Sequence, residues 1–276
     1  MSERDMEICK ELRKRVFLTG LKGGSAHLAS CFSSIEILYT LYMKGILRYD
    51  VQNPKMDGRD RFVLSKGHAG LALYSVLELA GIISKAKMDS YLICENGIGG
   101  EPNIGDANGI EASTGSLGHG LSVAVGMAIA QRLDGKESRT YVLIGDGESQ
   151  EGTVWEAAMS ASSFSLDNLI VILDNNNLQK TNRVDETLRY VEWAKKWGSF
   201  GWNVYWADGH NVDQLNDTFR SLERNGKPSI VIAETVKGKG VSIMENNPKW
   251  HFKLPNKKEL RLFIEELGIT EIELEI

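Results

Sequence analysis

Two hydrophobic rhythms alternate along this chain. Ile8, Leu12 and Val16 stand four apart and predict a first helix within a helical N-terminal segment, residues 1–50. The stretches Ser34–Met43, Gly70–Ala80 and Leu121–Leu133 predict further helices, and the last is rich enough in Gly and Ala to pack closely. Short continuous apolar runs then appear at Tyr141–Ile144, Leu169–Leu173 and Ser229–Ala233, each bounded by turn residues and rich in β-branched side chains. Asn203–Trp206, ending at Asp208-Gly209, is a fourth. Trp155–Ser163, Val191–Phe200 and Val212–Leu222 read as helices between these strands, and a last helix is expected near residues 257–267. Strands that are apolar throughout and alternate with helices predict an α/β fold. Its sheet is doubly wound and mainly parallel, with helices on both faces. No repeat or linker divides the chain, so residues 1–276 are expected to form one domain.

Composition narrows the class. A chain of 276 residues can bury a core without disulfides or a structural metal. Its three cysteines, Cys9, Cys31 and Cys94, form no CxxC pair, which fits a reducing compartment. The net charge of −5 speaks against nucleic acid as a partner. The opening MSERDMEICKELRKR lacks the apolar centre of a secretion signal. The longest apolar stretch, near Leu121–Ala130, falls well short of the roughly 20 residues a membrane span needs. A cytoplasmic protein with no membrane contact is expected.

In a parallel sheet, ligands bind at the carboxyl ends of the strands. Here those ends collect glycine, aspartate and asparagine. The strand ending at Ile144 runs into Gly145-Asp146-Gly147-Glu148-Ser149-Gln150-Glu151-Gly152. The next runs into Asp174-Asn175-Asn176-Asn177-Leu178. Asn176 follows Asp146 by 30 residues (176 − 146), room for one helix and one strand, so the two turns can lie side by side. One carboxylate, one amide oxygen and exposed carbonyls are hard ligands suited to Mg²⁺ or Ca²⁺ shared with phosphate oxygens. Glycines beside Asp146 allow close approach of the backbone to a diphosphate, and the following helix N-terminus favours anions. Either turn alone is common as plain structure; the pair in this context points to a site. No GxxxxGK[ST] motif is present, which argues against a nucleotide triphosphatase, and Lys237-Gly238-Lys239-Gly240 reads most simply as a solvated basic turn.

The GDG turn and the Asn-rich turn together resemble the thiamine diphosphate signature. Four further stretches resemble the transketolase family: DRFVLSKGHA at Asp60–Ala69, EASTGSLGHGLSVAVGMA at Glu111–Ala128, GDGESQEG, and ETVKGKGVS at Glu234–Ser242 followed by Trp250-His251. The likeness covers nearly the whole chain and is to the N-terminal, diphosphate-binding subunit of a split, two-chain transketolase. It implies the thiamine-diphosphate-binding fold and the cofactors thiamine diphosphate and Mg²⁺ (or Ca²⁺ or Mn²⁺). It implies metal ligation by Asp146, Asn176 and the Leu178 carbonyl, and it gives Lys237-Gly238-Lys239-Gly240 a second reading, as a loop near the active site. Cofactor contacts are implied at His68, Gly115, Ser116, Leu117, His119, Gly145, Asp146, Gly147, Glu148, Glu151, Asn176 and Leu178. His27, His68 and His251 match the family's active-site histidines, and imidazole suits proton movement near neutral pH. His210 is expected to position the turn before Val212.

The implied activity is transfer of a two-carbon glycolaldehyde unit from a ketose, or ketose phosphate, to an aldose. The resemblance also implies a missing half. The family's glutamate and aromatic residues around the aminopyrimidine ring belong to a second domain, so a C-terminal partner subunit is expected, in an α₂β₂ assembly. Two positions depart from the family pattern. Glu101 stands where a substrate-contacting histidine is common, and a carboxylate there disfavours an anionic acceptor. Gln179-Lys180-Thr181-Asn182 replaces the usual Asp-Gly. These departures leave open an enzyme for sulfosugars or branched sugars, or a decarboxylase-type reaction. A regulatory, non-catalytic cofactor binder is the alternative outside enzymes.

Overall fold

The computed structural model describes residues 1–93, 97–189 and 192–274. Five strands form one sheet: β1 (Arg61–Leu64), β2 (Thr140–Gly145), β3 (Leu169–Asn175), β4 (Asn203–Asp208) and β5 (Ser229–Glu234). Their order is β1-β2-β3-β5-β4, and every pairing is parallel. The four expected strands are all present. β1 is the addition; its four residues lie between charged Asp60 and Lys66, too short a run to stand out from its surroundings.

Alternate residues of each strand face opposite layers, as the period of two demands. Tyr141, Leu143, Ile170, Ile172, Val231 and Ala233 enter one core, with α1 (Glu3–Lys22), α2 (Leu28–Phe32), α3 (Ile35–Met43), α4 (Gly70–Leu79), α10 (Val212–Arg220) and α11 (Lys257–Leu267). Val142, Ile144, Val171, Leu173, Ile230 and Ile232 enter the other, with α6 (His119–Leu133), α7 (Gly152–Ser163) and α9 (Trp193–Ser199). Burial on both faces is why the middles of the central strands are apolar, with polar residues confined to their ends. Short helices α5 (Lys85–Asp89), α8 (Val184–Thr187) and α12 (Glu271–Leu274) complete the set.

Helix ends follow their caps. Ser2 Oγ accepts the Asp5 N–H at 3.2 Å and starts α1. Asn256 and Glu259 form a capping box at the start of α11, which spans the expected 257–267. α6 begins at His119, earlier than expected, because Gly118 sits at φ +84° and turns the chain into the helix. The helix expected from Val191 begins at Trp193, and Val191 itself lies outside the described residues. Cys9 and Cys31 are buried free thiols, and burial raises both. Cys94 lies outside the described residues. The register aligns Gly145 with Asp174 and Asn175 with Glu234, so the turns after β2, β3 and β5 open together on one sheet edge.

Candidate active site

The two expected turns meet at that edge. Asp146 follows β2 and is only 2% exposed. One of its carboxylate oxygens accepts the Gly147 N–H at 2.7 Å, and the other accepts the Asn177 N–H. The second bond requires Asn177 at φ +59°, a left-handed conformation asparagine tolerates. Asn176 and Leu178 are buried beside it. The Asn176 amide oxygen accepts the Leu178 N–H at 3.1 Å. Gly147 is required for a steric reason: a Cβ there would lie 2.8 Å from that of Gln179.

No side-chain cation donates directly to the Asp146 carboxylate among the described residues. Burial, and then the negative charge of Asp174, push it well above the usual carboxylate range. The Lys237 charge nearby opposes this rise without cancelling it, so Asp146 is a buried carboxylate with no directly bonded counter-ion. Together with the Asn176 amide oxygen and the Leu178 carbonyl it offers the hard oxygen ligands that Mg²⁺, Ca²⁺ or Mn²⁺ prefer. A cation at that point meets a real electrostatic demand, so the residues fit the group. The described residues hold no cluster of three or more His, Cys, Asp and Glu arranged for a metal, in keeping with a site built on a single carboxylate.

Beside these turns three imidazoles form a triangle. His27 caps α2, His68 sits in the turn Gly67–Ala69 after β1, and His251 follows the turn Pro248–Trp250. Their ring centroids lie 5.3 Å (27–68), 5.4 Å (27–251) and 5.7 Å (68–251) apart, with Phe252 4.5 Å from His27. Burial, then the Lys237 charge, lower His27 to about 4 and His251 to about 3. Burial and Lys66 hold His68 well below its ordinary value. All three are therefore neutral at pH 7, and each carries one N–H donor and one bare nitrogen acceptor.

Lys237 links turn and triangle: of the two readings of this segment, the structure supports the loop near the active site and corrects the solvated basic turn. Lys237 is 3% exposed. Its Nζ donates to the Leu178 carbonyl at 2.9 Å and lies 3.1 Å from His251 Nδ1. Burial and the nearby Lys66 charge lower its affinity for a proton. Sequence reasoning also missed Lys66 and Asp174, an ion pair sealed under the site. The Asp174 carboxylate takes Lys66 Nζ, Ser33 Oγ at 2.7 Å and Thr235 Oγ1.

The remaining expected residues divide. Glu148 is buried and braces three segments: its carboxylate accepts from Ser65 Oγ, from the Gly118 N–H at 2.9 Å and from the Gly145 N–H at 3.0 Å. Gly115 and Leu117 are half-buried, whereas Ser116, His119 and Glu151 are exposed. His119 Nδ1 stays within its own loop, 3.3 Å from Ser116 Oγ and 3.2 Å from the Leu117 carbonyl. The Glu101 carboxylate lies against the same loop, so close that a Cβ on Gly115 would overlap it. His210 is structural, and its reach is longer than expected: Asn211 caps α10, and the His210 ring ties the turn before it to Glu36 and Val236.

Residues 19–276 match the family described as transketolase, thiamine diphosphate binding domain. The chain is 40% identical over 257 residues to one subunit of the apulose-4-phosphate transketolase of Phocaeicola vulgatus, covering 93% of this chain and 91% of that one. It is 38% identical over 255 residues to a 6-deoxy-6-sulfo-D-fructose transketolase subunit of a Clostridium species, covering 91% and 92%. The transketolase structure from Campylobacter jejuni superposes with a TM-score of 0.87 at 28% identity, over all of this chain and 46% of that one. The chain thus spans nearly the full length of those subunits and less than half of the single-chain enzyme. Sequence, sheet topology and turn geometry agree, and the chain belongs to the transketolase family, whose thiamine diphosphate binding domain it carries.

Proposed function

We propose that this chain is the diphosphate-binding subunit of a two-chain, thiamine-diphosphate-dependent transketolase. It passes a two-carbon ketol unit from a ketose donor to an aldose acceptor, as a single domain over residues 1–276, in the cytoplasm. The observation that carries this reading is the placement of a buried, cation-seeking oxygen set beside three neutral imidazoles. Asp146, Asn176 and the Leu178 carbonyl hold Mg²⁺. Gly145, Gly147, Gly115, Ser116, Leu117, His119 and Glu151 would contact the cofactor, and Glu148 braces loops that carry them. When bound, thiamine diphosphate supplies the nucleophilic carbon and the electron sink. His27, His68 and His251 hold substrate oxygens, donating from N–H and receiving hydroxyl protons at the bare nitrogen. Because Lys237 donates to His251 Nδ1, the ring hydrogen of His251 is on Nε2.

The groups that activate the pyrimidine ring come from a C-terminal partner subunit, in an α₂β₂ assembly. The substrates named for the two subunit relatives above support a branched or sulfonated sugar in place of an ordinary pentose phosphate, and the Glu101 carboxylate beside Gly115 marks where this site departs from the usual histidine. The test is reconstitution with the partner subunit, thiamine diphosphate and Mg²⁺, then a profile of apulose 4-phosphate, 6-deoxy-6-sulfofructose and plain pentose phosphates. Transfer that needs both chains is expected, and His27→Ala or His251→Ala lowers turnover by roughly 10²–10⁴-fold. Robust turnover by this chain alone refutes the two-chain reading. Unchanged turnover in both variants refutes the histidine roles.

A further inference from the structure

Lys237 is a flexible side chain that must hold one position between the Leu178 carbonyl and His251. What fixes it lies away from the site. Arg13 on α1 and Glu36 on α3 form a buried bidentate pair, both bonds at 2.7 Å. His210, from the turn between β4 and α10, places Nδ1 2.9 Å from Glu36 Oε2. Its other nitrogen, Nε2, receives the backbone N–H of Val236 at 2.8 Å. A nitrogen that accepts carries no hydrogen, so the hydrogen is on Nδ1 and is donated to Glu36. Burial alone would raise the Glu36 carboxyl, but the Arg13 charge and the His210 bond hold it down to about 2, so it is an acceptor throughout.

The same anchor reaches the histidine triangle. Arg13 Nη2 donates to the Phe32 carbonyl at 2.9 Å, at the end of the short helix α2 that His27 caps. The Gly238 N–H donates to the Ala29 carbonyl of that helix at 3.0 Å. Residues 236–238 are therefore pinned on both sides of Lys237, by His210 at one end and by α2 at the other.

We infer that Arg13, Glu36 and His210 form a positioning relay that acts through the Val236 backbone to hold Lys237 in the active site. His210 is thus a positioning residue that touches neither cofactor nor substrate. Its effect on cofactor affinity rests on the function proposed above; its effect on Lys237 does not.

The experiment has three readouts. In the full-length wild-type chain, ¹⁵N histidine spectra at neutral pH are expected to show Nε2 of His210 as a bare, pyridine-type nitrogen. This needs no variant, and a protonated Nε2 overturns the relay. Next, lysine acylation by acetic anhydride is read by peptide mass spectrometry, with circular dichroism confirming the fold. Lys237 should label slowly in the wild type, at least roughly tenfold faster in His210→Leu, and slowly again in His210→Gln. That amide can accept from Val236 and donate to Glu36. Equal labelling in wild type and His210→Leu overturns the relay. Finally, in the reconstituted enzyme, His210→Leu weakens thiamine diphosphate binding about 10- to 100-fold while kcat at saturating cofactor changes less, and His210→Gln restores the affinity. If the labelling shifts while even the wild-type assembly binds no thiamine diphosphate, the relay stands and the proposed function fails.

Discussion

Two aspartates lie at the ends of neighbouring strands of this sheet, and their surroundings are opposite. Asp174 is the penultimate residue of β3 and has no solvent exposure. An ammonium and two hydroxyls take up its oxygens, and these partners overcome the cost of burial and hold it far below the usual carboxylate range. Asp146 follows β2 and is nearly as buried, yet among the described residues it receives two backbone N–H bonds and no side-chain donor, and burial and the Asp174 charge push it upward against the pull of Lys237. Their backbones even touch, with the Asp146 N–H donating to the Asp174 carbonyl at 3.3 Å. A carboxylate whose lone pairs are all taken by the protein serves the fold. One buried without a directly bonded counter-ion, with only the Lys237 charge nearby, keeps capacity for a cation from outside, and stability is lost to keep it.

The comparison breaks most simply on mutation. Asp174→Asn strips Lys66 of its counter-ion inside the core, and breaking such a pair costs about 3–5 kcal/mol. Against a total stability of roughly 5–15 kcal/mol this lowers the urea midpoint severely. Lys66→Met with Asp174→Asn recovers most of the loss, because the uncompensated charge is gone. Asp146→Asn does the reverse: it removes a repelled, desolvated charge and raises the midpoint of the ligand-free chain. Similar losses from both aspartate variants would abolish the distinction.

Ligand linkage sharpens the contrast at smaller amplitude. In the reconstituted assembly, thiamine diphosphate with Mg²⁺ at about 100 times the dissociation constant adds ~2.7 kcal/mol to the unfolding free energy of the wild type. Asp146→Asn abolishes that gain. A full gain in the variant, read by thermal melts with and without Mg²⁺, would remove Asp146 from the metal.

These differences explain what the sequence made legible. β2 and β3 stood out because their buried residues are apolar without interruption, and the turns after them because Gly, Asp and Asn punctuate such runs. Lys66 and Asp174 did not stand out, and Lys237 drew a solvated reading beside its family one, since charged residues ordinarily face solvent. The available signal was position: Asp174 follows five apolar residues directly, and Lys237 follows a buried strand and precedes a glycine at φ +83°. The histidine triangle was invisible to spacing, because residues 27, 68 and 251 meet only through the sheet; family likeness alone grouped them. His210 was read as structural from its place before Val212, but its partners 36 and 236 were hidden because they are far away in sequence.

The smallest expected effect is the pH dependence, and here the two kinds of buried group oppose each other. His27 falls from 6.5 to about 4 on folding. Between those values the unfolded chain binds a proton that the folded chain does not, so His27 destabilises the fold progressively as pH drops through that window. Asp146 is raised on folding, so between its unfolded value of 3.8 and its higher folded value the folded chain binds the extra proton, and falling pH favours the fold. In the wild type the two slopes partly cancel. In Asp146→Asn the carboxylate contribution is gone, so stability should fall more steeply from pH 6.5 to 4 than in the wild type, and adding His27→Gln should flatten it again. Urea melts at half-unit pH intervals measure the slopes, and NMR follows the His27 ring proton, which should stay unshifted from pH 8 to 5. If His27 titrates near 6.5, or if the Asp146→Asn slope matches the wild type, then the burial and repulsion that set these two groups apart do not govern their protons.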